Sequence, residues 1–566
     1  MVFIFFVRGM ELGIIYIIYL MLSCIIAGIM VGSEIMFFAQ QNSYRVKSIF
    51  NLLFDKIKEN MLNVFMCAII MVCMLILNID YIYFILPYLI VEVCLWLWAG
   101  NQFEYISKLK FTKRIIRQFV FYVILVTIFS ILIIKVNYYY LSICFPLIFF
   151  VFYILYFVDL IMLSPVEKLI GRYYLKKAKE KLSKNTKLIK IGITGSYGKT
   201  STKEILYSIL SNEFYVLATP KSFNTPFGIS KTINEELKNS HEIFICEMGA
   251  KKQGEINELC KLVNVDCGIV TSVGRQHLET FGSVEGVYKT KKELPDFLYQ
   301  KFCVFNLMNN YVANMFREYL YTKIGVFVLP KRLSSIKINF KINLQKIVLN
   351  KKYYHKKYKF YEFAKENNVY AKNLKITSLN SKFQIWRGCE FICEVESELI
   401  GLHNVINILL ATAMALMLGV NSKSIMLGVK NIKNIKARFE KTLNANGATI
   451  INNGYNSNLD SAVYSLKAMN LFDNKNKLVV TPGLIECKDM YEDNYKFGKL
   501  VGKYATEVIV VKKTNREAIV EGLNSIGFNK SKIYLVEDFD GVKKVLENVT
   551  KDYVVLIEND LPENYK

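Results

Sequence analysis

The apolar residues of this chain are unevenly distributed, and the longest apolar runs lie in the first 165 positions. Five of these runs are long enough to cross a lipid bilayer as helices: residues 12–32, 61–78, 81–100, 118–134 and 140–163. The alternative is a signal peptide followed by buried core helices, but the runs recur and no small-residue cleavage site follows the first one. We therefore expect residues 1–165 to form an α-helical membrane domain with about five transmembrane helices.

Basic residues set the expected orientation of this domain. They are concentrated between the first and second runs and between the third and fourth, at Arg45, Lys47, Lys56, Lys58, Lys108, Lys110, Lys113, Arg114 and Arg117. Both segments should be cytoplasmic, which places the N-terminus outside the cell and the rest of the chain in the cytosol. Residues 166–187 then form a basic juxtamembrane linker that lies against anionic lipid headgroups.

Beyond the linker, short apolar runs alternate with helical periodicity, which predicts α/β domains. The first such unit is a strand at residues 188–193, a Gly-rich turn at 195–201 and a helix at 203–210. The backbone N–H groups of such a turn converge on a phosphate together with the N-terminus of the following helix. The strict phosphate-binding pattern would have a glycine at Ile193, so the spacing alone leaves a chance loop open.

Two later positions carry candidate metal chemistry. Glu247 ends an apolar strand, and a carboxylate at the end of a parallel strand beside a phosphate-binding loop can hold Mg²⁺. The alternative for Glu247 is a solvated residue at a helix start. His277 follows the next strand and is either a metal ligand or a hydrogen-bonded surface residue. From residue 440 onward, four short strands alternate with helical stretches, which predicts a small α/β domain with a mainly parallel sheet.

Composition narrows the function classes. A chain of 566 residues implies three or four domains, and its net charge of +24 is compatible with nucleic acid, anionic lipid or a phosphorylated substrate as a partner. No recognised nucleic-acid motif accompanies the charge, so we expect lipid or a phosphorylated substrate and no nucleic acid. The twelve cysteines contain no CxxC pair, which argues against a disulfide frame or a metal site. The charged residues within the predicted spans are Glu92 and Asp159, which is thin support for a transporter.

Several motifs in a fixed order resemble the Mur ligase family, in particular its members that add D-alanyl-D-alanine to UDP-MurNAc-tripeptide. The motifs are found at residues 193–202, 247–250, 277–283, 369–373, 401–407, 438–440 and 455–458. The resemblance implies a central ATP-binding domain with a P-loop at residues 188–435 and a Rossmann-like C-terminal domain at 436–566. It also implies an ATP-dependent amide ligase that uses ATP and Mg²⁺.

The resemblance further implies a role for individual residues. The nucleotide-binding residues would be Gly195, Ser196, Tyr197, Gly198, Lys199, Thr200, Ser201, Asn407 and Arg438, and the metal ligands Thr200, Glu247 and His277. Lys199 would hold the β- and γ-phosphates, Asn407 the adenine, and Arg438 a phosphate. The family's carbamylated lysine would be Lys291, with Lys292 as the alternative register. Lys199, Lys291 and His277 are therefore the expected catalytic residues.

The sequence also departs from the family. Asn453 stands where the family usually has Asp, Leu459 stands where it often has Pro, and the predicted membrane domain replaces the usual UDP-binding domain. We expect a peptidoglycan-precursor ligase whose acyl substrate is a muramoyl peptide, either UDP-linked or carried on a lipid, and whose amine is D-alanyl-D-alanine or a related compound. The alternatives are amidation or synthesis of another envelope peptide, such as poly-γ-glutamate, or a degenerate ligase that acts as a membrane scaffold.

Overall fold

The fold is described from a computed structural model. The structure describes scattered positions between 22 and 54. It then describes residues 110–134, 138–299, 301–319, 323–328, 368–432, 434–454, 457–474, 476–485, 487 and 489–559. The chain divides into two compact units, Met1–Arg172 and Tyr173–Lys566.

The described part of the first unit includes two long helices, α1 (Lys113–Ile134) and α2 (Tyr138–Lys184), and α2 runs past Arg172. Tyr122 and Val126 of α1 pack against Phe152 and Tyr156 of α2. Among the described residues, one helix, Lys113–Leu132, is long and apolar enough to cross a membrane by length and composition alone.

The five predicted spans are covered unequally by the described residues. The runs at 61–78 and 81–100 lie outside them, and the run at 12–32 is described only at scattered positions. The run at 118–134 falls within α1, and the run at 140–163 falls within α2. Residues 166–184, expected as a linker, continue α2, and Ala178 and Leu182 are buried in the core of the second unit.

The second unit begins with a nine-stranded sheet in the order β2-β3-β1-β4-β5-β6-β7-β8-β9. Neighbouring strands from β2 to β7 are parallel, and β7, β8 and β9 are antiparallel. The strands are β1 (Ile189–Thr194), β2 (Val216–Ala218), β3 (Ile243–Met248), β4 (Cys267–Val270), β5 (Phe302–Asn306), β6 (Lys323–Val328), β7 (Val369–Ile376), β8 (Ser381–Arg387) and β9 (Glu390–Ser397).

Helices cover this sheet and close its core. They are α3 (Lys199–Leu210), α4 (Pro226–Glu236), α5 (Glu255–Val263), α6 (Leu278–Phe281), α7 (Val284–Phe297), α8 (Asn310–Glu318), α9 (Leu402–Met417) and α10 (Ser422–Asn431). The central strands β1 and β3 are buried along most or all of their length, as expected for parallel strands covered on both faces. Because β1 and β3 are parallel neighbours, their carboxyl ends meet at one edge of the sheet, where the P-loop and Glu247 lie.

A second sheet has six strands in the order β10-β11-β15-β12-β13-β14, and all neighbours are parallel except β10 and β11. Its strands are β10 (Glu440–Leu443), β11 (Thr449–Asn453), β12 (Asn476–Thr481), β13 (Glu507–Val511), β14 (Ile533–Val536) and β15 (Tyr553–Glu558). Its helices are α11 (Leu459–Met469), α12 (Met490–Gly502), α13 (Arg516–Asn524) and α14 (Phe539–Glu547). The predicted α/β fold with a mainly parallel second sheet is confirmed.

Candidate active site

The turn between β1 and α3 can exist only with glycines at two positions. Gly195 has a φ of +150° and Gly198 a φ of +84°. A Cβ atom at Gly195 would lie 2.0 Å from Thr271 Oγ1, and one at Gly198 would lie 2.7 Å from Asn407 Oδ1. The turn therefore approaches its neighbours too closely for any side chain, and its backbone remains available to a ligand.

Hydrogen bonds from the end of β4 hold this turn in place. The Ser196 N–H donates to the Ser272 carbonyl at 2.8 Å, and the Tyr197 N–H donates to Ser272 Oγ at 2.8 Å. The Thr271 hydroxyl donates to the Tyr197 carbonyl at 2.6 Å. Helix α3 starts at Lys199 with Gly198 as its N-cap, so its first N–H groups are free of side-chain capping and can bind an anion.

Lys199 lies against its own loop. Its Nζ donates to the carbonyls of Gly195 at 2.7 Å and Ser196 at 3.1 Å. Burial lowers the pKa of Lys199 to about 8, the Glu247 carboxylate opposes this shift, and the Arg438 guanidinium adds to it. At neutral pH the amine is mostly charged, so the loop presents a cation beside the free N–H groups of α3.

Glu247 lies beside the P-loop, at the carboxyl end of β3. Its Oε2 accepts a hydrogen bond from Thr200 Oγ1 at 3.0 Å, and its Oε1 accepts one from Asn224 Nδ2 at 3.2 Å. The residue is only 1% exposed. The predicted metal ligands Thr200 and Glu247 are thus brought together, and Asn224 joins them as a residue that the sequence analysis missed.

Lys203 is a second buried cation of this site that the sequence analysis missed. Its Nζ donates to the carbonyls of Thr219 at 2.6 Å and Lys221 at 2.5 Å, and it lies 3.8 Å from Glu247 Oε2. It lies four residues after Lys199 on α3, and this spacing was the available signal. Lys203 thereby fixes the loop that carries Asn224 and supplies positive charge behind the Glu247 carboxylate.

The structure distinguishes between the two registers for the modified lysine. Lys291 is 1% exposed, and its pKa is lowered to about 7 by burial and by Lys199, against the opposing effects of Glu293 and Glu255. Lys292 instead forms ion pairs with Asp296 at 2.9 Å and Glu318 at 3.4 Å near the protein surface. A buried lysine with an accessible neutral form is the one suited to carbamylation, which favours Lys291.

His277 is the N-cap of the short helix α6 and has a φ of +51°. It is partly buried. Within the described ranges, no group of three or more His, Cys, Asp or Glu side chains converges as a metal site. The structure thus joins two of the three predicted metal ligands directly, and the metal role of His277 stays a prediction.

A cavity between the two sheets of the second unit is lined by five of the nine predicted nucleotide residues, which include Ser201. It is lined by Tyr197, Gly198, Asn407, Arg438, Asn453 and Tyr464, among others. Asn407 Oδ1 accepts a hydrogen bond from Thr202 Oγ1 at 3.3 Å, which ties α9 to the P-loop helix. His403 also lines this cavity, and burial lowers its pKa to about 4, so its imidazole is neutral at physiological pH.

Asn453, which stands where the family usually has Asp, is hydrogen-bonded to a buried glutamate. Asn453 Nδ2 donates to Glu558 Oε2 at 3.0 Å, and its Oδ1 accepts from the Phe439 N–H at 3.2 Å. Glu558 is fully buried and also accepts a hydrogen bond from the Ser457 hydroxyl; burial raises its pKa. A carboxyl group is therefore present beside position 453, contributed by the last strand.

The departure at Leu459 is also accommodated locally. Leu459 is the first residue of α11, whose N-cap Asn458 forms a capping box with Ser461. Such a box satisfies the first N–H groups of a helix without the preset backbone of proline. Tyr455 and Asn456 of the same motif lie outside the described residues.

Contacts between the two sheet domains fasten the loop after β4. The Arg275 guanidinium lies 3.1 Å from Asp493 Oδ1, and the Arg275 N–H donates to Asp460 Oδ2 at 3.1 Å. The Tyr197 ring lies 6.5 Å from the Tyr464 ring. The P-loop side and the second sheet therefore meet around the same cavity.

Comparison with known proteins places these features in a family. Residues 193–332 match the model of the Mur ligase middle domain. The chain is 28% identical over 398 residues to the UDP-N-acetylmuramoyl-tripeptide--D-alanyl-D-alanine ligase of Haemophilus influenzae, covering 69% of this chain and 74% of the relative. It is 24% identical over 371 residues to the ligase of that name from Bacillus subtilis, covering 65% of this chain and 72% of the relative.

Solved structures agree on the fold. A MurF crystal structure from Acinetobacter baumannii superposes with a TM-score of 0.56 at 21% identity, covering 69% of this chain and 78% of that one. The MurF ligase from Thermotoga maritima in complex with ADP gives a TM-score of 0.55 at 23% identity, covering 69% and 80%. The ordered motifs, the P-loop geometry and the sequence matches lead to one conclusion: residues 193–332 form a Mur ligase middle domain, and the chain is similar to ATP-dependent Mur ligases over 69% of its length.

Proposed function

We propose that this chain joins D-alanyl-D-alanine, or a related amine, to the free carboxylate of a muramoyl peptide during peptidoglycan precursor synthesis. The observation that carries the proposal is the Glu247 carboxylate, which accepts a hydrogen bond from Thr200 at 3.0 Å beside the P-loop. The chain is similar to curated UDP-N-acetylmuramoyl-tripeptide--D-alanyl-D-alanine ligases. A carboxylate and a hydroxyl at this place fit a magnesium ion bound to nucleotide phosphates.

The residues around the P-loop fit ATP. The two glycines keep side chains out of the turn, and the start of α3 offers uncapped N–H groups to phosphate oxygens. In the proposed roles, Lys199 leaves its loop carbonyls for the β- and γ-phosphates, Arg438 contacts a phosphate, and Asn407 contacts the adenine. Thr200, Glu247 and His277 would hold Mg²⁺, which supplies positive charge against the phosphate oxygens.

The proposed chemistry has two steps. A carboxylate oxygen of the peptide attacks the γ-phosphorus of ATP, the bond to the ADP oxygen breaks, and an acyl phosphate forms. The amine nitrogen then attacks the acyl carbon, inorganic phosphate leaves, and the amine loses a proton. Lys199 offsets the negative charge of the first step, and a carbamylated Lys291 would place a negative group near the metal.

We further propose that residues 1–165 form a membrane domain of about five helices, with the N-terminus outside and the catalytic domains in the cytoplasm. What supports this is the inverted polarity of α1. Its outward positions are apolar and about half exposed, at Ile116, Val120, Ile124, Ile128, Ile131 and Leu132. Its inward positions include the buried polar residues Gln118 and Ser130. Lipid is the solvent in which such an arrangement is stable.

The test is phosphate release by the detergent-purified full chain with ATP, Mg²⁺, UDP-MurNAc-tripeptide and D-alanyl-D-alanine, with each component omitted in turn. We expect release that requires both substrates, and the pentapeptide product by mass spectrometry. Lys199→Ala should reduce turnover by about 10²–10³-fold. Phosphate release that ignores the carboxylate substrate would contradict the proposal.

A matched pair of variants controls for charge removal. Lys291→Met should abolish most turnover, whereas Lys292→Met, which removes an adjacent lysine in a partly exposed ion pair, should retain it. Equal loss in both variants would remove Lys291 from the mechanism. If the wild type turns over only with a lipid-linked muramoyl peptide, the acyl substrate is the lipid-linked precursor and the ligase assignment stands.

A further inference from the structure

The interface between α1 and α2 buries polar side chains that have no role in the proposed ligation. Gln118 is 1% exposed, and Tyr156 and Asp159 are 0% exposed. Among the residues that the structure describes, Gln118 Oε1, the Tyr156 hydroxyl and both carboxylate oxygens of Asp159 lack a hydrogen-bond partner. Buried polar atoms are nearly always satisfied, so four orphaned oxygens in one interface point to a missing ligand.

Contacts between the two helices fix their register. The Tyr122 and Tyr156 rings lie 5.8 Å apart, and the Tyr122 hydroxyl donates to the Phe152 carbonyl at 3.3 Å. Further along, Arg117 binds Glu167 with two hydrogen bonds of 2.7 and 2.9 Å. These contacts make α1 and α2 antiparallel, and this register puts Gln118 of α1 at about the level of Asp159 of α2.

The nearest described cations are engaged elsewhere. Arg117 is held by Glu167, and the Arg114 guanidinium lies 3.6 Å above the Tyr44 ring and 3.7 Å from Glu167. Glu167 is eight residues beyond Asp159, which is about 12 Å along a helix. The arginine cluster therefore neutralises Glu167, and the Asp159 carboxylate is left without a matching charge in a low-dielectric interior.

We propose that Asp159, Gln118 and Tyr156 form a binding site for one monovalent metal cation, Na⁺ or K⁺. A single carboxylate is neutralised by a single positive charge, whereas a divalent ion would leave a net buried charge. The four orphaned atoms are oxygens, the donors that hard cations prefer. The Tyr122 and Tyr156 rings pack edge to face, and both are fully buried. This site is independent of the ATP site, and its test does not require ligase activity.

The test measures binding of ²²Na⁺ by the detergent-purified full chain, with choline chloride used to keep ionic strength constant. We expect saturable binding of about one ion per chain and competition by the preferred ion of the pair. Asp159→Asn keeps the shape of the side chain and removes its charge, so this variant should lose the binding. Gln118→Leu keeps the carboxylate and should weaken binding about tenfold.

Ser130→Ala is the matched control, because Ser130 is also buried on α1 but its hydroxyl already donates to the Val126 carbonyl at 2.8 Å. This variant should bind like the wild type. Absence of saturable Na⁺ and K⁺ binding by the wild type would overturn the proposal and leave Asp159 as a neutral acid. Undiminished binding by Asp159→Asn would also overturn it, and neither reading depends on whether the enzyme turns over.

Discussion

Helices α1 and α9 are both strongly apolar, but the residues around them differ. In α9 every residue from Asn404 to Ala415 is buried, because the helix lies between α3 and strands of the nine-stranded sheet. In α1 the apolar residues that point outward, such as Ile124, are about half exposed, and Gln118 points inward. Apolar composition alone therefore does not separate these two environments, whereas the exposure of the outward apolar residues does.

The comparison extends to buried charge. Around the P-loop, the carboxylate of Glu247 and the amine of Lys203 are both surrounded by protein groups of the opposite polarity. In the first unit, Asp159 has no such partner among the described residues. Removing one partner of a matched buried charge is strongly destabilising, and a buried charge without a partner marks a place where something else binds or a proton is carried.

The largest expected effect on stability is at the P-loop region, where the buried charges are matched. Lys203→Met would leave the Thr219 and Lys221 carbonyls and the Glu247 carboxylate without their cation, at a cost of about 3–5 kcal/mol in the free energy of unfolding. Chemical denaturation of the full chain measures this. Lys231→Met is the control, because that lysine is half exposed in a surface pair and should change stability by less than about 0.5 kcal/mol. Equal stability of the two variants would refute the role assigned to Lys203.

The second-largest expected effect concerns the outward face of α1. Ile124→Asp puts a charge on the outward face of α1, which should cost about 2.5–3.5 kcal/mol if that face contacts lipid. Extraction of membranes at alkaline pH should then release more of this variant than of Ile124→Leu. If α1 lies in water instead, the aspartate is an ordinary surface substitution worth less than about 0.5 kcal/mol, and no difference will be seen.

Asn453→Asp restores the family's usual residue but should harm this chain. The new carboxylate would lie about where the Asn453 amide lies, 3.0 Å from Glu558 Oε2, and the lost amide N–H would cost about 1–3 kcal/mol. Since two buried carboxyls that share a site have raised pKa values in the folded state, stability should fall as pH rises above about 4. Thermal unfolding at pH 5 and pH 8 compares the two proteins. A variant that matches the wild type at pH 8 would contradict this account.

The smallest expected effect concerns Lys291, a buried lysine near the P-loop whose pKa is lowered. Carbon dioxide adds to the neutral amine, and a pKa of about 7 means that the neutral fraction rises from about one tenth at pH 6 to about nine tenths at pH 8. Carbamate formation from ¹³C-bicarbonate, followed by NMR, should increase over this window. Lys291→Arg, which stays charged, should show no such signal. A carbamate signal that persists in Lys291→Arg would assign the modification to another lysine.

Lys291 should change the pH dependence of stability in the opposite direction to the Asn453→Asp substitution. The folded-state pKa lies below the ordinary lysine value, so the unfolded chain binds more protons between about pH 7 and pH 10. The contribution of this residue to stability therefore improves as pH rises through that window and is poorest below it.

Local pattern sufficed for the parts of the site that are built from neighbouring residues. Strand, glycine turn and helix around Lys199 follow from periodicity, and Glu247 follows from the rule that carboxyl ends of parallel strands meet. The helix starts at Lys199, four residues before the predicted start, because the first turn contains no apolar periodicity to reveal it. The expected linker at 166–187 is mostly helix, because its basic residues are good helix formers with an apolar face that includes Leu182.

Other parts of the site could not be found in the sequence, because they depend on tertiary contacts. Asn224 reaches Glu247 across 23 residues, and Glu558 reaches Asn453 across 105. Neither has a local signature, since an asparagine in a loop and a glutamate at a strand end are ordinary residues. Asn453 stands where the family usually has Asp, and the fold places the Glu558 carboxyl beside it.

The Asn453–Glu558 pair has a consequence for the evolution of this family. If an amide at one position requires an acid at the other, the two positions should change together across relatives, despite lying on strands β11 and β15 at opposite ends of the domain's sequence. Relatives with aspartate at the first position should then lack an acid at the second. A comparison of position 453 alone would conclude that this chain lacks the acid. A comparison of both positions would find the acid at position 558.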